Sequence, residues 1–157
     1  MAGEKMEIRK LHVSELNKLT ELFSYNDEKE MILSCTNDIQ NERIDIFGLF
    51  ENGILSGELR AKYTSEDESF AARGRRAYLY AFRVRKNDQG KGYGTYLLES
   101  VLSLLKEKGY CEFTVGVEDD NERALHMYKK AGFTELLLRK TEEYQGDLYS
   151  YNLYLKR

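Results

Sequence analysis

The chain has no proline and no tryptophan among its 157 residues, two absences that carry no structural inference. It has only two cysteines, Cys35 and Cys111, far apart in sequence. That excludes a disulfide scaffold and suits a reducing, cytoplasmic setting. Its two histidines, His12 and His126, share no metal-ligand spacing with each other or with a cysteine, so no metal is expected. No apolar run approaches the ~20 residues of a membrane span, and the first seven residues lack the apolar stretch of a secretory leader. A basic excess is missing too: 24 Lys and Arg stand against 27 Asp and Glu, a net charge of −3. That balance gives no support to a nonspecific nucleic-acid binder. There is no Gly-x-Ser-x-Gly elbow of a hydrolase, no internal repeat, no low-complexity tract and no linker.

What remains is an ordinary globular composition, 41% hydrophobic and 32% charged, at a length that fits one domain over 1–157. Residues 6–12 read as a strand. Ser14 reads as the N-cap of a helix carrying Leu16, Leu19, Leu22 and Phe23. A second, more polar helix spans 27–40. Two strands, 44–50 and 54–63, flank Asn52-Gly53, a hairpin signal because both residues tolerate positive φ. In the second strand Leu55, Gly57, Leu59, Ala61 and Tyr63 alternate with Ser56, Glu58, Arg60 and Lys62, predicting one apolar and one polar face. Residues 64–76 read as a solvated, charged loop. A strand at 77–84, a long amphipathic helix stopping at Gly109, a strand at 110–117 and a helix from Asn121 to Gly132 follow. Strands near 134–142 and 147–155 close a hairpin at Gln145-Gly146. The strand–helix–strand unit over 78–117 requires a parallel, right-handed crossover, while 43–84 is an antiparallel meander. The expected architecture is a single-domain α/β protein with a mixed, mostly antiparallel sheet and flanking helices.

The chain is organised around Val84 to Thr95, where a strand ends, three glycines stand at alternate positions and a helix begins. Glycines let backbone amides approach a ligand, and a helix N-terminus presents unpaired N–H groups with partial positive charge. Together they make a seat for a phosphate. A P-loop needs Gly-Lys followed by Ser or Thr, but Lys91 is followed by Gly92. The dinucleotide fingerprint, begun at Gly90, finds Gly92 and then Thr95.

A third pattern fits. Gln89-x-x-Gly92-x-Gly94, after a strand and opening a helix, resembles the pyrophosphate motif of the GNAT superfamily of N-acetyltransferases. A second motif, Asn121-x-x-Ala124-x-x-Met127-Tyr128-x-x-x-Gly132-Phe133, is similar to that family's downstream helix. The two stand in the family's order with a strand between them.

The charge balance, hydropathy and His/Cys spacing above predict no nucleic-acid partner, no membrane partner and no metal, and a monomer or homodimer is expected. The resemblance implies acetyl-CoA as co-substrate and acetyl transfer to a primary amine of a small molecule or protein. It implies that the backbone amides of Gly90, Lys91, Gly92, Tyr93, Gly94 and Thr95 cradle the pyrophosphate, with Gln89 at the mouth of the turn. Phe82, Arg83 and Val84 offer backbone groups to the pantetheine arm, and Asn121 contacts the cofactor, with Lys129 and Lys130 nearby. The resemblance makes Tyr128 the candidate general acid for the departing thiolate, although Ala124, Tyr128 and Ala131 also read as a core-facing stripe. Many family members place a glutamate on the strand before the glycine turn. Here that strand, Tyr78 to Val84, has no carboxylate. Glu58, or Tyr78 or Tyr80 through a water, are the candidate bases. The missing glutamate also motivates an alternative, a non-catalytic CoA-binding regulatory module on the same fold. Cys111 reads as a small core residue. Tyr144, Tyr149, Tyr151 and Tyr154 are candidates to line an acceptor pocket or simply to fill strand positions.

Overall fold

Two periodicities dictate the layout: alternation of two along the apolar strands and 3.6 along the helices, each needing a partner face to bury. The computed structural model describes residues 5–157. Its strands are β1 (Met6–Lys10), β2 (Ile44–Glu51), β3 (Ile54–Lys62), β4 (Arg76–Val84), β5 (Glu112–Glu118), β6 (Glu135–Tyr144) and β7 (Asp147–Lys156). Its helices are α1 (Asn17–Leu22), α2 (Glu28–Gln40), α3 (Tyr93–Glu107) and α4 (Glu122–Lys130). The strands hydrogen-bond in the order β1-β2-β3-β4-β5-β7-β6. The β4–β5 pair is parallel, and the β1–β2, β2–β3, β5–β7 and β6–β7 pairs are antiparallel. This is the mixed, mostly antiparallel α/β architecture that the patterns predict. The reading of Met1 to Glu4 as free of an apolar leader lies outside the described residues. No described helix is long and apolar enough to cross a membrane.

The chain forms two compact units. The first comprises the described residues up to Lys62 together with Ala81–Leu104. Leu16, Leu19, Phe47, Leu49, Leu59, Leu97 and Leu98 are buried in it. The β2–β3 hairpin turns through Asn52 and Gly53 at φ +52° and +83°, the left-handed pair that a two-residue turn needs to match strand twist. The second unit comprises Tyr63–Tyr80 and Leu105–Arg157. Phe113, Val115, Phe133, Leu153 and Leu155 are buried there.

Five expectations need correction. Ser14 is not a cap: the chain turns at His12, whose backbone N–H donates to the Glu15 carboxylate (3.0 Å). That carboxylate also takes bonds from Arg9 and Lys18, and the Arg9 guanidinium foremost holds it well below the usual carboxylate range. The polar face of β3 is not solvated, since Ser56 and Glu58 are fully buried and Arg60 nearly so. The 64–76 segment is only partly a solvent loop: Phe70 and Ala71 are buried, and Arg76 opens β4 as a buried ion-pair partner of Glu112 (3.0 Å). Of Ala124, Tyr128 and Ala131, only Tyr128 is buried. Cys111 lies one residue before β5 and is exposed.

Candidate active site

In the first unit, β4 runs into a turn and then α3. A short 3₁₀ turn at Lys86–Asp88 leads to Gly90 and Gly92, both at φ +82°. Left-handed backbone at two alternate positions turns successive N–H groups toward one side, and a side chain there would strain the chain. Gly92 O accepts the first helical bond, from Tyr96 N (3.1 Å). The amides just inside α3 are therefore those that a helix start leaves without intrahelical partners. Gly94 is already helical, with only the Phe82 ring near the place where a Cβ would stand (3.7 Å).

The turn is tied down by a residue that sequence reasoning passed over. Asp88 is buried and accepts bonds from Ser56 Oγ (2.7 Å), Arg85 Nε (2.8 Å) and Lys91 Nζ (3.1 Å). Burial works to raise its carboxyl, but the bonds from Ser56, Lys91 and Arg85 together hold it below the usual range. The signal was present: Asp88 is the lone acid among four basic residues, three positions from both Arg85 and Lys91. Gln89 folds its amide back onto Val84 O (3.1 Å), and Tyr93 OH donates to Glu51 on β2 (2.8 Å). Both ends of the glycine turn are thus pinned, which lowers the ordering entropy that an anion would have to offset on binding.

Along β4, Arg85 N donates to Ser56 O (2.6 Å), and the Arg83 carbonyl approaches to 2.8 Å from the position of a Cβ on Gly57. The backbone groups of Arg83 and Arg85 therefore face β3. By strand alternation those of Phe82 and Val84 face the other way. Upstream, Ala81 sits at φ +51°, an unusual backbone for a residue inside a strand, beyond the β4–β5 register that runs from Arg76↔Glu112 to Leu79↔Val115. Of the three residues expected to meet a pantetheine arm, Phe82 and Val84 have the suitable backbone direction. Arg83 presents its side chain instead.

That side chain pairs with Glu58. Arg83 Nε (3.0 Å) and a terminal nitrogen both donate to Glu58 Oε1, while Arg60 Nε donates to Oε2 (3.1 Å). Arg83 also donates to Tyr25 OH (2.7 Å) and lies 3.8 Å above the Phe23 ring. Arg60 reaches Cys35 Sγ (3.4 Å). Each Glu58 oxygen thus accepts from a guanidinium, an arrangement that anchors β3 to β4 better than it serves a proton acceptor.

In the second unit, α4 is capped by Asn121, whose Oδ1 accepts from Ala124 N (3.1 Å). Tyr128 packs edge-on against Phe133 at 5.6 Å. Burial, with Tyr78 nearby, pushes its phenol far above the ordinary value, so it carries its proton at neutral pH. The Tyr78 and Tyr80 rings stack at 5.6 Å, and burial foremost raises the Tyr78 phenol too. A protonated phenol is a poor base without a stronger one behind it. His126 is exposed, as its position off the Tyr128 face predicts. Among the described residues there is no group of three or more His, Cys, Asp or Glu side chains that could hold a metal.

Compared with known protein families, the chain matches the "Acetyltransferase (GNAT) family". Its model matches residues 9–133. The chain belongs to the GNAT acetyltransferase family. Among curated relatives, a mycothiol acetyltransferase of Propionibacterium freudenreichii is 36% identical over 85 residues, which is 54% of this chain and 25% of that protein. The chain thus spans about a quarter of that relative's length. Among solved structures, the ribosomal-protein-S18-alanine N-acetyltransferase of Escherichia coli superposes with a TM-score of 0.75 at 20% identity, covering 97% of this chain and 93% of that one. A Salmonella typhimurium protein solved with its cofactor acetyl-CoA gives 0.73 at 17% identity, covering 96% and 92%. At such identities these two likenesses show the GNAT fold alone. The donor set here fits acetyl-CoA: amides of the glycine turn for a pyrophosphate and outward backbone of Phe82 and Val84 for an amide-bearing arm.

Proposed function

We propose that this GNAT chain transfers an acetyl group from acetyl-CoA to a primary amine by direct attack. The observation that carries the reading is the turn between β4 and α3, with Gly90 and Gly92 both left-handed and buried Asp88 bonded to Ser56, Arg85 and Lys91. Acetyl-CoA, once bound, supplies an activated acetyl group on a thioester. The chain's own part is to bind, orient and move two protons. The amides from Gly90 to Thr95 and the α3 dipole hold the pyrophosphate. An outward amide of Phe82 or Val84 polarises the thioester carbonyl as charge develops on its oxygen. The attacking amine must shed a proton, which water carries off where no dedicated carboxylate stands ready. Tyr128, protonated at neutral pH as a phenol is, donates to the departing sulfur.

Thiol release from acetyl-CoA across an amine panel tests the reading. Turnover with at least one amine is expected, and CoA binding without turnover for any amine would favour the regulatory module instead. The Tyr128 role has its own check. Tyr128→Phe is expected to lower kcat by about 10²-fold, the scale of general acid catalysis, with CoA affinity changed less than threefold. Wild-type turnover in that variant would remove Tyr128 from the chemistry.

A further inference from the structure

Glu142, on β6 of the second unit, sits opposite Tyr149 in the β6–β7 register, and Lys140 sits opposite Tyr151. Tyr149 OH donates to Glu142 Oε2 and Tyr151 OH to Oε1, each at 2.9 Å. The Tyr149 and Tyr151 rings stack at 6.1 Å. Phe70 meets Tyr78 edge-on at 5.2 Å and Tyr151 at 6.5 Å. A Cβ at Gly116 would stand 3.1 Å from the Tyr151 ring and 3.6 Å from Tyr78 OH, so the missing side chain lets those two converge. One carboxylate is thereby bonded and flanked by aromatic rings, and the transfer step proposed above gives that carboxylate no role.

We propose that Glu142 and the rings of Phe70, Tyr78, Tyr149 and Tyr151 form a recognition site for the ammonium group of an aliphatic cationic amine. On the acetyltransferase reading above, on which this assignment rests, that amine is the acceptor or a second amino group of it. Three features carry the assignment. The two tyrosine hydroxyls occupy only part of the acceptor capacity of a carboxylate, which has about four lone-pair positions. The Tyr151 bond first, then the Tyr149 bond, hold the Glu142 carboxyl below the usual range, so it is an anion at neutral pH. A carboxylate tuned in that direction is a weak base and a durable counter-ion, hence a positioning residue. The third feature is Lys140. Its ammonium stands 3.5 Å from Glu142 Oε1 and 5.3 Å from the Phe70 ring centroid. The chain's own amine thus marks the combination of anion and π-face that suits an ammonium. Lys140 is long and half-exposed, so it can swing into water when another amine arrives. The ligand class is a lysine-like side chain or a diamine. An amine flanked by its own carboxylate is disfavoured against Glu142.

Calorimetric titration of 1,5-diaminopentane into the full chain, without acetyl-CoA, tests the site apart from catalysis. Binding is expected to weaken at least tenfold in Glu142→Gln and severalfold in Tyr149→Phe. It is expected to stay equal or tighten in Lys140→Ala, which breaks the resident ion pair but keeps the carboxylate. Equal affinity of wild type and Glu142→Gln, no binding by wild type, or a tenfold loss in Lys140→Ala overturns the proposal. The kinetic arm separates the two readings. Thiol release with a KM for the diamine that Glu142→Gln leaves unchanged defeats the ammonium site and leaves acetyl transfer standing. Diamine binding that Glu142→Gln abolishes, with no thiol release for any amine, defeats acetyl transfer and leaves the ammonium site standing.

Discussion

Gly92→Glu is expected to abolish CoA binding, raising Kd more than a hundredfold in titration while the protein stays folded. Two effects act together. The φ of +82° is one that side chains rarely adopt, and the strain costs about 1–2 kcal/mol. Among the described residues, its chain neighbours aside, no heavy atom lies within 4 Å of the place where the Cβ would stand, so the substituent finds space and the fold survives. The second effect is decisive for the ligand: a carboxylate enters the turn proposed above to hold the pyrophosphate and opposes its charge. Gly92→Ala separates the two, because it carries the strain without the charge and should bind CoA with an intermediate loss. Gly94→Ala makes the complementary control. Gly94 is helical, and alanine there favours the helix by about 1 kcal/mol. Unchanged CoA affinity in Gly92→Glu would remove the turn from cofactor binding.

Replacing Glu58 is expected to cost stability before it costs chemistry. Glu58→Ala leaves the guanidiniums of Arg60 and Arg83 facing each other with no anion between them, Arg60 in a nearly buried position. Removing one partner of a buried ion pair costs about 3–5 kcal/mol, which for a chain of this size lowers Tm by on the order of 10 °C. Calorimetric unfolding reads this directly, and a shift under about 2 °C would show that the two arginines relax into water. Glu58→Gln distinguishes the rival role. If Glu58 were the base, the low-pH limb of kcat/KM would flatten in that variant. As an anchor, its loss leaves the limb in place and moves only the thermal midpoint.

Those two residues mark how far the sequence could be read. The glycine turn and both hairpins were legible because they are local: Asn52-Gly53, Gln145-Gly146 and Gly90 to Gly92 announce left-handed backbone within a few residues. The element order was legible because alternation and helical spacing change visibly along the chain. Alternation along β3 told that Glu58 and Arg60 share a face, but not that this face is dry. Burial of that face depends on Arg83, 25 residues from Glu58, and on Tyr25 and Phe23, 58 and 60 residues from Arg83, and such separations follow no local pattern. Asp88 was hidden for a related reason, since its most distant donor, Ser56, lies 32 residues upstream. The Glu142 site is not legible in the sequence, because only the β6–β7 pairing brings the Tyr149 and Tyr151 hydroxyls to that carboxylate. Cys111 misled through composition: it neighbours an apolar strand without being part of it.

The two thiols have a practical consequence. Cys35 is buried beside the Arg60 guanidinium, and burial foremost pushes its thiol up, away from the reactive thiolate. Cys111 is open to solvent. Reactivity follows thiolate access, so a maleimide dye at neutral pH should couple at one position in the native chain and at two once the first unit opens. The ratio of doubly to singly labelled mass then acts as an internal clock for that opening. It runs at the Glu58 ion-pair cluster and needs neither a substrate nor an engineered handle.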